Sequence, residues 1–360
     1  MYLSRSSILA AVCCFIIVGI LVLGCSDDDN PTKPAPTWEW ITLGTGMDAS
    51  VYNVATYDNK LIASGGFTTA GGTGASRIAA WNGSAWTALG SGINNTIGAL
   101  VVYNNKLIAG GQFSNAGGVD LNRIAAWNGS AWEALGTGTD DAIFDLAVYD
   151  SKLFVGGLFS SAGGVAVHGI ASWNGSSWAE VGTGFDGTGG IMTIFDGKLI
   201  VAGTISINGG ASADRVVAWD GSSWTALGTE MNGSIDALTV YDGKLIAGGG
   251  FTTAGGVSAS HIAAWNGSAW APLGSGVSDV VITLTVYNDE VIAGGWFSSA
   301  GGESANHIAA WDGSAWVPLG NGADADVYAL FVFGDDLIAG GDFTAAGGIT
   351  VNYIAAWGPR

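Results

Sequence analysis

The sequence lacks residues that several kinds of protein chemistry require. All three cysteines lie within the first 25 residues, so the rest of the chain has no thiol for a disulfide, a zinc site or a cysteine nucleophile. The three histidines are far apart along the chain, which argues against a Ser–His triad. We therefore expect no catalytic residue, no metal and no other cofactor.

Positive charge is also scarce. The chain has 11 Lys and Arg against 30 Asp and Glu, which gives a net charge of −19. Nucleic acid is therefore excluded as an expected partner, because phosphate binding depends on Lys and Arg. A helical pattern is missing as well, since Lys, Glu and Leu-rich stretches are rare and glycine is abundant, with 60 residues.

The N-terminus has the layout of a signal peptide, predicted over residues 1–24. Arg5 precedes an apolar run from Ile8 to Leu23. The run Leu21-Val22-Leu23-Gly24-Cys25 resembles the bacterial lipobox, which implies an acyl chain on Cys25 and the lipid membrane as a partner. A transmembrane signal anchor is the alternative, but the apolar run is short for spanning a bilayer.

An acidic and proline-rich segment follows at residues 25–37. It contains Asp27, Asp28 and Asp29 and then three prolines, a composition that cannot bury apolar surface. We predict a tether that holds the domain away from the membrane. The expected location is extracytoplasmic, at the outer membrane or the cell surface.

The predicted propeller domain, residues 38–360, contains seven copies of a 46-residue repeat, which span residues 39–360. An Ile-Ala-Ala-Trp-like motif ends at a tryptophan in every copy, and a second tryptophan series has the same spacing: Trp81, Trp127, Trp173, Trp219, Trp265, Trp311 and Trp357, then Trp40, Trp86, Trp132, Trp178, Trp224, Trp270 and Trp316. A period in the forties with strand signals is typical of propeller blades. The sequence therefore predicts an all-β fold, a seven-bladed β-propeller.

Each repeat is predicted to form four antiparallel strands, A to D. In the second copy these are residues 97–103, 106–113, 122–127 and 131–136, with tight turns at Asn104-Asn105 and Asn128-Gly129. The repeat region begins on a strand D, at Trp38-Glu39-Trp40, and stops on a strand C, at Trp357. We predict that these two strands pair and close the ring, which leaves a monomer without a free edge at the junction.

Strand B ending in Gly-Gly, an aromatic in strand C, a tight turn and a tryptophan opening strand D resemble kelch repeats, including the central propeller of galactose oxidase. The resemblance covers the repeat region and implies a seven-bladed propeller. The copper site of galactose oxidase does not carry over, because this chain lacks its cysteine-modified tyrosine and histidine ligands. The chain is also similar to cortical-marker propellers of cell surfaces.

In such a propeller the longer B–C and D–A loops share one face, which is the expected binding surface. Early in the D–A loops lies an acidic ring: Asp48, Asn94, Asp140, Asp186, Asn232, Ser278 and Asp324, with Asp141, Asp279 and Asp326 beside it. Hydrogen bonding of these short side chains to nearby backbone is favoured over a cation site.

Two further sets of side chains are candidates for ligand binding. Basic residues open strand C: Arg77, Arg123, Arg215, His261 and His307, with His168 one position earlier. Ion pairing with the acidic ring is favoured over an anion site. A position without consensus follows Gly-Gly: Gly66, Gln112, Leu158, Thr204, Gly250, Trp296 and Asp342. Among these, Trp296 is a tryptophan that the repeat does not demand, and it is suited to stacking on a sugar or a partner side chain.

Two functions remain open from sequence. The first is a non-enzymatic binding or scaffold module whose B–C/D–A face recognises a glycan or a protein. The second is a carbohydrate-active enzyme with an acid pair drawn from Asp140, Asp141, Asp186, Asp324 and Asp326, but near-identical copies give near-identical environments, and an acid and a base need different ones.

Overall fold

The computed structural model describes residues 37–183, 185–211 and 213–360. The predicted signal peptide, Cys25 and all but the last residue of the predicted tether lie outside these ranges. None of the segments that the structure describes is a helix with the length and apolarity needed to span a bilayer.

Seven antiparallel sheets, each with strands A to D, form the predicted seven-bladed β-propeller, and the sheet of blade 4 has one further strand. The innermost strands, A, are Val51–Tyr57, Ile97–Tyr103, Ile143–Tyr149, Ile191–Phe195, Ile235–Tyr241, Val281–Tyr287 and Val327–Phe333. The B strands are Lys60–Gly65, Lys106–Gly111, Lys152–Gly157, Lys198–Ile207, Lys244–Gly249, Glu290–Gly295 and Asp336–Gly341.

The two outer strands of each blade carry the tryptophans. The C strands are Ile78–Trp81, Ile124–Trp127, Ile170–Trp173, Ala213–Trp219, Ile262–Trp265, Ile308–Trp311 and Ile354–Pro359. The D strands are Trp86–Ala88, Trp132–Ala134, Trp178–Glu180, Trp224–Ala226, Trp270–Pro272 and Trp316–Pro318, with Trp38–Thr42 serving blade 7.

The ring closes as predicted. Strand Trp38–Thr42 pairs antiparallel with the last strand, with Trp40 opposite Trp357. The backbone groups of Thr37 and Arg360 also exchange two hydrogen bonds, at 3.1 and 2.9 Å. Blade 7 is thus built from both ends of the repeat region, and strand Trp38–Thr42 pairs with the outer edge of strand Ile354–Pro359.

The blades are held together by apolar packing and by a repeated hydrogen bond. The indole N–H of Trp86 donates to the carbonyl of Leu43 at 2.8 Å, and equivalent bonds recur in all seven blades. Each apolar cluster contains residues of neighbouring blades, and a buried phenylalanine follows strand B in six of them: Phe67, Phe113, Phe159, Phe251, Phe297 and Phe343.

The B–C loops contain an element that was not predicted. In six blades the Ala-Gly-Gly segment forms the turn between two short antiparallel strands of two residues each, which we call the ribbon. The ribbons are Thr69–Ala70 with Thr73–Gly74, Asn115–Ala116 with Val119–Asp120, Ser161–Ala162 with Val165–Ala166, Thr253–Ala254 with Val257–Ser258, Ser299–Ala300 with Glu303–Ser304, and Ala345–Ala346 with Ile349–Thr350. Both glycines have positive φ, for example Gly117 at 62° and Gly118 at 85°, which favours glycine at this turn.

Blade 4 replaces the ribbon with a longer hairpin. Its B and C strands extend to Ile207 and from Ala213, and strand Phe185–Gly187 pairs with the extension. The Phe185 ring packs on Trp224 with a centroid distance of 4.9 Å. The sheet of blade 4 therefore has five strands.

Candidate functional site

The inner strands enclose a central cavity of about 270 Å³. In six blades strand A carries a β-bulge, and the extra residue lines this cavity: Tyr52, Gly98, Phe144, Asp236, Ile282 and Tyr328. Bulges often re-aim a side chain beside a functional site. The bulged position escaped prediction, although its variation among the copies was a visible signal.

Blades 6, 7 and 1 share a chain of polar contacts at the mouth of this cavity, on the B–C/D–A face. We call it the rim cluster and define it by Ser50, Tyr52, His307, Asp326, Tyr328 and Asp342. The Tyr328 hydroxyl donates to Asp342 Oδ2 at 2.7 Å and lies 3.4 Å from Asp326 Oδ2. The Ser50 hydroxyl donates to Asp342 Oδ1, and His307 Nδ1 lies 3.3 Å from Asp326 Oδ1.

Aromatic rings accompany the carboxylates. The rings of Tyr52 and Tyr328 are 5.9 Å apart and inclined at 50°. Burial, followed by the hydrogen bond to Asp342 and then by the charges of Asp342 and Asp326, raises the pKa of Tyr328. Its hydroxyl therefore stays protonated and remains a hydrogen-bond donor between two carboxylates.

The predicted position after Gly-Gly surrounds the same mouth. A side chain at Gly66 would meet the Tyr52 hydroxyl, and Asp342 belongs to the rim cluster. Trp296 occupies the equivalent position on blade 6 and is 48% exposed. His307 Nδ1 lies 3.2 Å from the carbonyl of Gly295, the residue before Trp296, so the backbone at Trp296 adjoins the rim cluster. Leu158 and Gln112 are also exposed, on blades 3 and 2.

The acidic ring has the structural role that was favoured from sequence. Asp48 accepts hydrogen bonds from the N–H groups of Thr68 and Thr69 and from the Thr68 hydroxyl. Burial acts to raise the pKa of Asp48, but these bonds outweigh it and the pKa is lowered. The same contacts to the start of the ribbon are made by Asn94, Asp140, Asn232, Ser278 and Asp324.

Two acidic residues of the predicted set behave differently. Asp186 is not a member of the ring, because blade 4 draws it into the strand that pairs with the long hairpin, opposite Ser206. Asp141 is exposed and its carboxylate accepts from the N–H of Ala142 at 2.7 Å. Asp326 alone among the predicted acid-pair residues belongs to a cluster with a second carboxylate.

The residues that open strand C occupy an unusual backbone conformation. Arg77, Arg123, His261 and His307 have φ between 62° and 64°, and Tyr353 at the same position in blade 7 has 70°. Blade 3 has Gly169 here, and His168 before it lies 3.4 Å from Glu180. Non-glycine residues seldom adopt this conformation. Arg215 differs, because the extended strand C of blade 4 pairs it with Gly203.

The prediction that the basic residues at the start of strand C pair with the acidic ring and its neighbouring carboxylates was wrong, with one exception. Among residues 37–183, 185–211 and 213–360, the single ion pair between these sets joins His307 and Asp326. The physical reason is that Asp48, Asp140 and Asp324 already accept backbone hydrogen bonds from the ribbon.

Two carboxylates lie inside the central cavity. Asp145 accepts hydrogen bonds from the N–H groups of Met192 and Leu146, and it joins blade 3 to blade 4. Burial raises its pKa to about 7 although these bonds act to lower it. Burial likewise raises the pKa of Asp236, against a hydrogen bond from Ser234 and with the charge of Asp214 adding to the rise.

Because the pKa values of Asp145 and Asp236 are raised, we expect the free energy of unfolding to depend on pH. In the unfolded chain Asp145 ionises near pH 4, whereas in the folded protein it holds its proton until about pH 7. Between these values the folded state binds more protons, so raising the pH lowers the free energy of unfolding, by on the order of 2 kcal/mol after allowance for solvent in the cavity. Thermal melts at about pH 5 and about pH 8 measure this fall.

The Asp145→Ala variant should lose most of that pH dependence. Asn53, which occupies the equivalent position and donates to the carbonyl of Ile97 at 3.0 Å, provides the control, because Asn53→Ala removes a bond without removing a titrating group. The lowered pKa values of Asp48, Asp140 and Asp324 act in the opposite sense and only below about pH 4. A wild-type melting temperature that rises over the tested window would contradict the prediction.

A family model covers a small part of the chain. Residues 242–263 match a family described as a β-propeller domain of unknown function, DUF5122. The matched segment runs from the A–B turn of blade 5 into its strand C. A search of the curated proteins gives no match.

Solved structures share the architecture at low sequence identity. The computationally designed protein Ika8 is 14% identical with a TM-score of 0.51, covering 87% of this chain and 97% of its own. The WD40 propeller domain of Doa1 is 12% identical with a TM-score of 0.53, covering 91% and 97%. At these identities the similarity shows the fold alone.

A third structure belongs to a larger protein. The extracellular domain of a B. thetaiotaomicron protein, named as a hybrid two component system, is 10% identical with a TM-score of 0.55. The match covers 89% of this chain and 39% of that one. This chain therefore corresponds to about two fifths of that domain.

Proposed function

We propose that the protein is a non-enzymatic binding module that recognises a glycan at the mouth of the central cavity. The rim cluster carries the proposal, because it joins two carboxylates and a protonated phenol within blades 6, 7 and 1, and the exposed Trp296 follows Gly295, whose carbonyl contacts His307 of the cluster. The glycan is favoured over a protein ligand because the aromatic and acceptor groups surround a concave mouth rather than a broad apolar patch.

The chemistry of the rim cluster suits a sugar. Asp326 and Asp342 offer acceptor oxygens for hydroxyl groups, and Tyr328 and Ser50 present hydroxyls that can exchange partners. The exposed Trp296 offers a flat apolar face for the C–H face of a pyranose ring. The acidic ring does not compete for this role, because its side chains are bonded to the ribbons of their own blades.

We also propose that a lipid on Cys25 anchors the protein outside the cytoplasm, at the outer membrane or the cell surface. The lipobox-like run Leu21–Cys25 and the acidic segment after it support this location. The fold occurs in an extracellular domain of the B. thetaiotaomicron protein, which is compatible with it. Kelch-like ancestry is supported by strand B ending in Gly-Gly and by the packed pair Trp81 and Trp86.

A carbohydrate-active enzyme is the second candidate, on one observation. Carboxylate oxygens of Asp326 and Asp342 both approach the Tyr328 hydroxyl, so they lie within about 6 Å of each other, near the separation used by retaining glycosidases. If the pair were catalytic, Asp342→Asn would abolish release of sugar from a bound glycan. If the wild-type protein releases no sugar and leaves the bound glycan intact, the result supports the binding module.

Binding to a glycan array should depend on Trp296. We expect Trp296→Ala to weaken binding to the preferred glycan by at least about tenfold, because one stacking surface is lost. Leu158→Ala is the matched control, since Leu158 occupies the same position in blade 3 and is 56% exposed. Equal loss in both variants, or no loss in either, would contradict a glycan site at Trp296.

A further inference from the structure

The opposite face of the propeller, which carries the A–B and C–D turns, has a repeated cavity between blades. Three of these cavities have volumes of about 210, 140 and 340 Å³, at the junctions of blades 1 and 2, 2 and 3, and 6 and 7. Each is bordered by the tyrosine that ends strand A and by the strand C tryptophan of the next blade. We call the cavity between blades 6 and 7 the seam pocket.

The seam pocket departs from the repeat at two lining positions. The residue two positions before the repeat's second tryptophan is serine in six copies, at Ser84, Ser130, Ser176, Ser222, Ser268 and Ser314, but the seventh copy has Trp38. Strand B starts with lysine in the first five blades, at Lys60, Lys106, Lys152, Lys198 and Lys244, but blade 6 has Glu290. The seam pocket therefore has a third aromatic ring, from Trp38, and a negative charge, from Glu290, where the other two cavities have a lysine.

The aromatic rings form three walls. The Trp38 ring lies nearly perpendicular to Tyr287, at 82° and 6.0 Å, and at 28° and 6.3 Å to Trp357. Trp38 is 45% exposed, so part of its ring is accessible to a ligand. Aliphatic side chains, among them Ile292 and Leu319, complete the lining.

The pocket is negatively charged. Its lining includes Glu290 and neither lysine nor arginine among the residues that the structure describes. The carboxylate of Glu290 has no ion-pair or hydrogen-bond partner within that part of the chain, and burial followed by the charge of Asp312 raises its pKa. The nearby Arg360 is neutralised by two bonds to Asp336, at 2.9 and 3.1 Å.

We infer that the seam pocket binds a quaternary ammonium group. Aromatic faces attract a cation through their quadrupoles, and a carboxylate nearby adds to the attraction. A methylated ammonium suits this lining better than a primary one, because it donates no hydrogen bonds and the walls are largely apolar. Choline is the simplest probe, and trimethyllysine and phosphatidylcholine carry the same group.

Choline binding measured by calorimetry and tryptophan fluorescence tests the inference. We expect choline to bind at least about tenfold more tightly than its uncharged isostere 3,3-dimethyl-1-butanol, in which carbon replaces the nitrogen. Trp38→Ser and Glu290→Lys should each weaken choline binding by about tenfold or more. Both variants restore the residue that the other copies carry, so they are compatible with the fold.

The control is Trp296→Ala on the opposite face, which should bind choline as the wild type does. Equal binding of choline and the isostere, or undiminished binding in folded Trp38→Ser and Glu290→Lys, would overturn the inference. Binding to phosphatidylcholine vesicles but not to phosphatidylglycerol vesicles would assign a lipid headgroup. Binding to a trimethyllysine peptide and free choline, without binding to vesicles, would assign a soluble ligand.

Discussion

Deleting residues 38–46 is expected to unfold the propeller or convert it into oligomers. The deletion removes strand Trp38–Thr42, which covers the last strand over five paired residues. It also removes the buried Trp40, whose indole donates to Leu319 across the blade boundary at 3.4 Å. Loss of one buried tryptophan costs about 3–5 kcal/mol, a large part of the roughly 5–15 kcal/mol that stabilises a domain.

The exposed edge of strand Ile354–Pro359 would then be free to pair with another chain. Circular dichroism melts and light scattering measure both outcomes. Deletion of nine residues from the predicted tether, 26–34, is the control of equal length and should leave the melting temperature unchanged. A monomeric deletion variant with wild-type stability would contradict the closure as the source of the effect.

Gly295→Ala is expected to destabilise the protein by about 3 kcal/mol or more. The second glycine of Gly-Gly lies opposite the bulge of strand A, and a Cβ there would fall far inside the contact distance of the Val280 carbonyl. Neither partner can move alone, because the contact is with backbone on both sides. Urea unfolding gives the change in free energy.

Gly74→Ala is the matched control for this substitution. Gly74 is exposed, its φ is not positive, and a Cβ at this position would meet no atom within 4 Å. We expect its stability to stay within about 0.5 kcal/mol of wild type. Equal stability of Gly295→Ala and Gly74→Ala would show that the bulge does not require glycine.

The blade number, strand order and closure could be predicted because they follow from periodic features. Tryptophans at a constant spacing fix the repeat, and turns such as Asn128-Gly129 mark the strand ends. A repeat region that begins on strand D and finishes on strand C leaves one way to complete the last blade. These features depend on local sequence, so no knowledge of neighbouring blades was needed.

The candidate site was predicted only in part. Trp296, Asp342 and His307 were singled out, but Tyr52 and Tyr328 were not, because a β-bulge reverses the expected alternation of strand A and brings them to the cavity. Pairing of Arg77 and Arg123 with the acidic ring was wrong, since the ribbon that occupies those carboxylates was not foreseen. Asp145 gained its raised pKa from burial against blade 4, which only the assembled ring produces.

The hydrogen bonds between Thr37 and Arg360 make the repeat region nearly a circle. An open array of repeats needs specialised end units with a polar outer surface, because its first and last members lack a neighbour. In this ring every blade has a neighbour on each side, so no copy has to serve as an end cap. All seven copies can therefore keep the same apolar flanks, and differences between them are free to accumulate at exposed positions such as the one after Gly-Gly.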